Sequence, residues 1–249
     1  MTELAPPAGH QLWNGRWSPD GTKIAVHLTE RATDTESIAV MSATGSNLAV
    51  LADAGTYLAS AAWAPNGNTV YFTSSTGISS VPVTGGAPTQ ISRAFAAFEL
   101  DVSGDGKRLS YTTNGSSNVS VLELADGGVQ VVHSGTAARF SPDGTRLAFV
   151  EGDLNSERFS LYTFADKSVV DLGPAGTYLA SVSWFADGKR LAVTSDKTID
   201  VVTVDQAPVG RSVLYEDGFA TTGVDVSPDG TKILFRVNGQ LGLSVLSGF

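Results

Sequence analysis

Arg16 and Arg139 each stand one residue before an aromatic residue and a Ser-Pro-Asp-Gly turn, in RWSPDGTKIAV and RFSPDGTRLAFV. Asp101 and Asp225 hold the same place in DVSGDGKRLSY and DVSPDGTKILF. A guanidinium offers a planar fork of donors that fits a carboxylate, and an ionised aspartate only accepts. Brought together, the four make either ion pairs that satisfy one another or a polar site in which arginines grip a carboxylate and aspartates take donors. Asn14 and Glu99 lie two residues earlier in their own copies and add further oxygens. Asp101, Asp225 and Glu99 could then act as acid or base without a metal, with the arginines as electrostatic clamps.

Other chemistry finds less support. There is no G-x-S-x-G elbow, so a serine nucleophile has no local signature. The three histidines, His10, His27 and His133, fall in unrelated places and do not converge on a metal centre. A central calcium would draw on Asn14, Glu99, Asp101 and Asp225, but Arg16 and Arg139 at the same level repel a dication. The DLNSE stretch at 153–157 alternates oxygen-bearing side chains, yet lacks the glycine and the later bidentate glutamate of a calcium loop. The chain has no cysteine, which removes thiolate nucleophiles, disulfides and Cys-based metal sites. No glycine-rich loop opens a helix to cradle phosphate. No metal and no cofactor is expected.

The elements that must position these residues follow from repetition. The phrase appears six times, with its glycine at Gly21, Gly67, Gly106, Gly144, Gly188 and Gly230. Proline presets φ for the second turn position, Asp or Asn can bond nearby amides, and glycine takes the positive φ that ends a hairpin loop. A β-prone run follows each turn, such as Lys23 to Val26. Two further apolar runs fill most periods, such as SIAVMSA (37–43) and NLAVLAD (47–53). Each period therefore holds four strands, A to D, with the turn joining A to B. Periods of 38 to 46 residues with four strands each predict propeller blades. The fold class is an all-β, six-bladed propeller that fills residues 1–249 as one domain. The sixth period stops after GLSVLSGF (242–249), one strand short, and the segment Thr2–Leu4 is expected to supply its outer strand.

The W/F-S-P-D-G-T-K/R string resembles the WD40-like (PD40) repeats of TolB-like six-bladed propellers, over nearly the whole chain. The resemblance implies the fold and leaves the activity open. The namesake of that family also carries a separate N-terminal α/β domain, for which these residues have no counterpart.

The six copies are also doubled. GTYLASAAWAPNG (55–67) matches GTYLASVSWFADG (176–188), and the paired glycines stand 123, 121 and 124 residues apart. Matching residues should then face each other across the axis. Strand A lines the channel, and side chains alternate along a strand. If the residue before each turn packs between blades, its predecessor faces the channel: Arg16, Ala62, Asp101, Arg139, Ser183 and Asp225. Two positions earlier lie Asn14, Ser60, Glu99, Ala137, Ser181 and Gly223. Strict alternation then puts Leu12, Leu58 and Leu179 on the channel wall, with Phe95 and Phe219 at the rim. These residues are either core packing or the apolar mouth of a funnel suited to a small organic ligand or a peptide end. The long B–C connections, at 27–37 and 153–157, are expected on the face that holds that mouth.

Acidic residues outnumber basic ones by 25 to 16, a formal charge of −9 that argues against a nucleic-acid partner. No apolar stretch is long enough for a membrane span, and the N-terminus MTELAPPAGH has no secretory pattern. A cytoplasmic protein and a trimmed periplasmic or secreted domain fit equally. A monomer is expected. The function expected is a binding module for a protein segment, peptide or small ligand at the channel mouth. The alternatives are a metal-independent hydrolase, lyase or cyclase in the same pocket, and a purely structural propeller.

Overall fold

The computed structural model describes the chain except for residues 56–59, 95–96, 114–116, 153–155, 177–179, 207–208 and 217–220, and the side chain at 176. Strand β1 (Thr2–Leu4) opens the chain. Blade 1 follows as β2 (His10–Trp17), β3 (Lys23–Glu30), β4 (Thr35–Ser42) and β5 (Ala49–Gly55). Blade 2 is β6 (Ala61–Trp63), β7 (Thr69–Ser74), β8 (Gly77–Pro82) and β9 (Thr89–Ser92). Blade 3 is β10 (Ala97–Val102), β11 (Arg108–Thr113), β12 (Asn118–Glu123) and β13 (Val129–Ser134). Blade 4 is β14 (Thr136–Phe140), β15 (Arg146–Glu151), β16 (Glu157–Thr163) and β17 (Val169–Gly176). Blade 5 is β18 (Val182–Trp184), β19 (Arg190–Ser195), β20 (Thr198–Thr203) and β21 (Gly210–Glu216). Blade 6 begins with β22 (Thr221–Val226), β23 (Lys232–Val237) and β24 (Leu243–Ser247).

Each sheet is antiparallel and four-stranded, in chain order from A to D. Blade 6 takes its fourth strand from the other end of the chain: β1 pairs with β24, Thr2 opposite Val245 and Leu4 opposite Leu243. The unpaired edge that β24 would otherwise present is covered.

The turns are built as their residue types dictate. Ser18 Oγ donates to Asp20 Oδ1 at 2.6 Å and accepts from Lys23 N–H at 2.9 Å. Asp20 Oδ1 accepts the Thr22 N–H at 3.0 Å, and Gly21 takes φ 69 and donates its N–H to the Ser18 carbonyl. These donors hold the Asp20 carboxyl down at about 2. The same Ser–Asp contact, at 2.6 Å, recurs at Ser103–Asp105, Ser141–Asp143 and Ser227–Asp229.

The apolar runs pack blade against blade, and a buried cluster fills every one of the six interfaces. Leu12, Trp17 and Ile24 of blade 1 meet Leu234, Leu243 and Val245 of blade 6, which joins the two ends of the ring. Corresponding clusters join blades 1 to 2, 2 to 3, 3 to 4, 4 to 5 and 5 to 6. The aromatic residue before the turn also latches the blades. Trp63 Nε1–H donates to the Arg16 carbonyl at 2.9 Å, and Trp184 Nε1–H to the Arg139 carbonyl at 3.1 Å.

Strict alternation fails in strand A. In blades 1, 3, 4 and 6 the register slips between Trp13 and Arg16, Phe98 and Asp101, Thr136 and Arg139, and Thr222 and Asp225. At each slip a residue with positive φ sits in the bulge: Asn14 (46), Glu99 (57), Ala137 (54) and Gly223 (66). A bulge inserts one residue opposite its partner strand and so reverses the facing of everything before it. Leu12 consequently leaves the channel. It is 0% exposed, inside the cluster between blades 6 and 1, and lines no mouth.

Candidate functional site

The channel residues do meet, in an arrangement the twofold repeat does not predict. Arg16 is 8% exposed. Its Nη1 donates to Asp225 Oδ1 at 2.9 Å, and its Nη2 lies 3.8 Å from Asp101 Oδ1 and donates to the Leu100 carbonyl at 3.2 Å. One arginine therefore spans from blade 6 to blade 3. Blade 2, which lies between, presents Ala62 beside them. Its counterpart in blade 5, Ser183, bears a hydroxyl that donates to Asp225 Oδ1 at 3.3 Å.

Arg139 is left without the matching partner. No ion pair forms between Arg139 and Asp101 among the described residues. Arg139 Nη1 donates to the Ala138 carbonyl at 2.8 Å, and its Nε is buried without an acceptor. Burial, with Arg16 adding repulsion, pulls its guanidinium down to about 10. Of the two ion pairs the repeat suggests, only Arg16–Asp225 is a close contact.

The carboxylates have a second task that the sequence does not announce. Asp225 Oδ2 accepts the Trp17 N–H at 2.8 Å, and Asp101 Oδ2 accepts the Phe140 N–H at 2.8 Å. Glu99 Oε2 accepts the Ala137 N–H at 2.5 Å and the Thr112 hydroxyl at 3.3 Å. Ser60, Ser181 and Ser183 hydroxyls accept the N–H groups of Leu100, Val224 and Val226, each at 3.0 Å. In every case the channel side chain of one blade satisfies an amide of the next blade's innermost strand. The channel wall is thus tied together by side chains where no backbone ladder runs. Burial pushes the Glu99 and Asp101 carboxyls up, and the arginines and amides only partly oppose it.

A cavity of about 340 Å³ opens at the end of the channel framed by the A–B turns. Arg16, Asp101 and Asp225 line it together with Trp17, Trp63 and the turn residues Pro19, Pro65 and Pro142. The apolar mouth expected from the sequence is at the opposite end of strand A. The turn phrase itself carries the signal that marks this end, because it sets Pro19, Pro65 and Pro142 at the channel exit. Asn14 is exposed, two residues farther along strand A. Leu58, Leu179, Phe95 and Phe219 lie outside the described residues. The described residues include no group of three or more His, Asp or Glu placed to hold a metal ion. No helix among them is long and apolar enough to cross a membrane.

With this geometry in hand, known proteins give a clear answer on fold. Neither a protein-family model nor a curated protein matches the chain. Solved structures do. TolB from Acinetobacter baumannii superposes with a TM-score of 0.77 at 20% identity, over 91% of this chain and 61% of that one. The chain thus spans 61% of the length of that TolB structure. The nidogen/laminin complex gives a TM-score of 0.73 at 13% identity, over 96% of this chain and 89% of that one. Kuenenia stuttgartiensis hydrazine synthase gives 0.68 at 15% identity, over 99% and 79%. The likeness is one of fold: a six-bladed, TolB-like propeller. One of these neighbours is a protein complex and another an enzyme, so activity must be argued from the channel.

Proposed function

We propose that the protein is a binding module that takes a segment of a partner polypeptide, or a small ligand of similar shape, into the channel at the A–B turn end. The observation that carries this reading is the cavity itself, lined by Trp17, Trp63 and three prolines together with Arg16, Asp101 and Asp225. Apolar walls supply contact area, and a few fixed polar groups supply orientation. Asp101 Oδ1 has no hydrogen bond in the described structure and stands ready for a ligand donor, whereas Asp225 is already satisfied by Arg16, Ser183 and Trp17. The structural neighbour in a nidogen/laminin complex supports the protein-binding class by analogy of fold alone.

Acid–base catalysis in the same channel is the second reading, favoured by the raised Glu99 and Asp101 carboxyls. Against it, each of these carboxylates already holds a neighbouring blade's amide. Panning a displayed random-peptide library on the protein tests the binding reading. Enriched peptides should bind the wild type and lose binding to Ala62→Phe, which fills the cavity. Equal binding to that variant, with its fold intact by circular dichroism, would refute the site.

A further inference from the structure

Arg236 is buried and charged, and no carboxylate among the described residues pairs with it. It lies on β23 of blade 6, is 6% exposed, and stacks its guanidinium 3.5 Å above the Trp13 ring of blade 1. Its Nη2 donates to the Gln240 carbonyl at 2.8 Å, and its Nε is buried with no acceptor. Stacking satisfies the face of a guanidinium and leaves its edge donors unmet. Burial lowers its pKa, and no neighbouring charge contributes to that shift. A buried charge left in this way costs stability unless something pairs with it.

The internal repeat shows what pairs there in the other half. Arg236 stands opposite Thr222, as Thr112 stands opposite Phe98. The next residue along strand A is Gly223 in one half and Glu99 in the other, both in the bulge at φ 66 and 57. The facing bulge residues on the following blade are Asn14 and Ala137, at φ 46 and 54. Between blades 3 and 4 the Glu99 carboxylate fills this place, accepting from Ala137 N–H and Thr112. Between blades 6 and 1 glycine removes the carboxylate, while arginine replaces the threonine as donor. In the other half the bulge residue Ala137 turns its N–H to Glu99, and by the repeat the Asn14 N–H takes the corresponding place opposite Gly223, which has no side chain to accept it. A Cβ on Gly223 would meet Asn14 Oδ1 at 3.5 Å and Asn14 Cα at 4.0 Å, both ordinary contacts, so space is present although φ 66 strains any residue but glycine. Asn14 is exposed, so the place is open to solvent.

We propose that the channel wall between blades 6 and 1 is a seat for a ligand carboxylate, held by the Arg236 guanidinium and the Asn14 backbone N–H. The ligand supplies from outside the group that Glu99 supplies from within. This seat lies farther along strand A than the cavity at the A–B turns and stands independently of the function proposed for that cavity. The carboxylate belongs either to a small organic acid or to a chain terminus, and the chemistry of the seat is the same for both.

The test uses ¹⁵N-labelled full-length protein. Sodium acetate, and separately N-acetyl-trialanine with a free carboxylate, are titrated against sodium chloride at equal ionic strength. The Asn14 amide and the Arg236 Nε–H should shift saturably with at least one probe. The C-terminal amide of the same peptide should bind about tenfold more weakly or worse, because the charge-assisted bond is lost. Saturation by acetate identifies a small acid as sufficient, and saturation by the peptide alone identifies a chain terminus. Gly223→Glu should place a carboxylate as Glu99 does and abolish the response. Arg236→Met keeps a long side chain over Trp13 and should also abolish the response. Absence of a saturable shift with both probes overturns the proposal, as does an undiminished response in Gly223→Glu.

Discussion

Replacing Asp225 with Ala removes three contacts at once. Its Oδ1 holds Arg16 Nη1 at 2.9 Å and the Ser183 hydroxyl at 3.3 Å, and its Oδ2 holds the Trp17 N–H at 2.8 Å. Arg16 would keep the Leu100 carbonyl and, as its nearest carboxylate, Asp101 at 3.8 Å, and the Trp17 N–H would lose its acceptor. Removing one partner of a buried ion pair costs about 3–5 kcal/mol, because the other charge stays buried. The residual pull of Asp101 places Asp225→Ala toward the lower end of that range. Asp101→Ala removes the Phe140 N–H acceptor but breaks no close ion pair, and costs about 1–3 kcal/mol. Asp225→Asn keeps an oxygen for Trp17 and should fall between. Urea denaturation followed by tryptophan fluorescence reads the order directly, since midpoints shift with stability at constant slope. Equal destabilisation by the two alanine variants, or a larger effect at Asp101, would show that Arg16 does not depend on Asp225.

Glu99→Gln should stabilise the protein at neutral pH. The raised Glu99 carboxyl holds its proton in the folded state beyond its ordinary value of 4.5. The stability this group contributes is therefore complete below that value and is lost as pH rises through the folded-state pKa. Gln keeps an oxygen for the Ala137 N–H and has no proton to lose. Calorimetric melting curves of the two proteins should coincide in acid and separate as pH rises, with Glu99→Gln the higher; a constant gap would place the effect elsewhere. Gly15→Ala should destabilise the ring closure by about 1–3 kcal/mol. Its Cβ would fall 2.5 Å from Leu234 Cδ2 and 2.6 Å from Leu243 Cδ1, both buried between blades 6 and 1. An unchanged urea midpoint would mean that those leucines yield without cost.

What could be read from the sequence is what local chemistry decides. Ser18, Asp20 and Gly21 make their turn through contacts two to five residues apart, and the phrase that encodes it repeats once per blade. Turn, strand length and blade number follow from that repetition, and so do the residues just before the turn, which Arg16 and Asp225 occupy. The bulge lay beyond this reach, since Asn14 and Ala137 at positive φ carry no strong sequence mark and yet reverse the facing of Leu12. So did the pairing in the channel. Arg16 and Asp225 are 209 residues apart, and Arg16 also reaches Asp101 and Leu100 of blade 3, past Ala62 of the blade between. The twofold repeat gave both halves the same strands, and single exchanges, Ala62 for Ser183 and Gly223 for Glu99, gave them different walls. Those differences exist only once the ring has closed, because they depend on which side chain stands across the channel and not on which stands next along the chain.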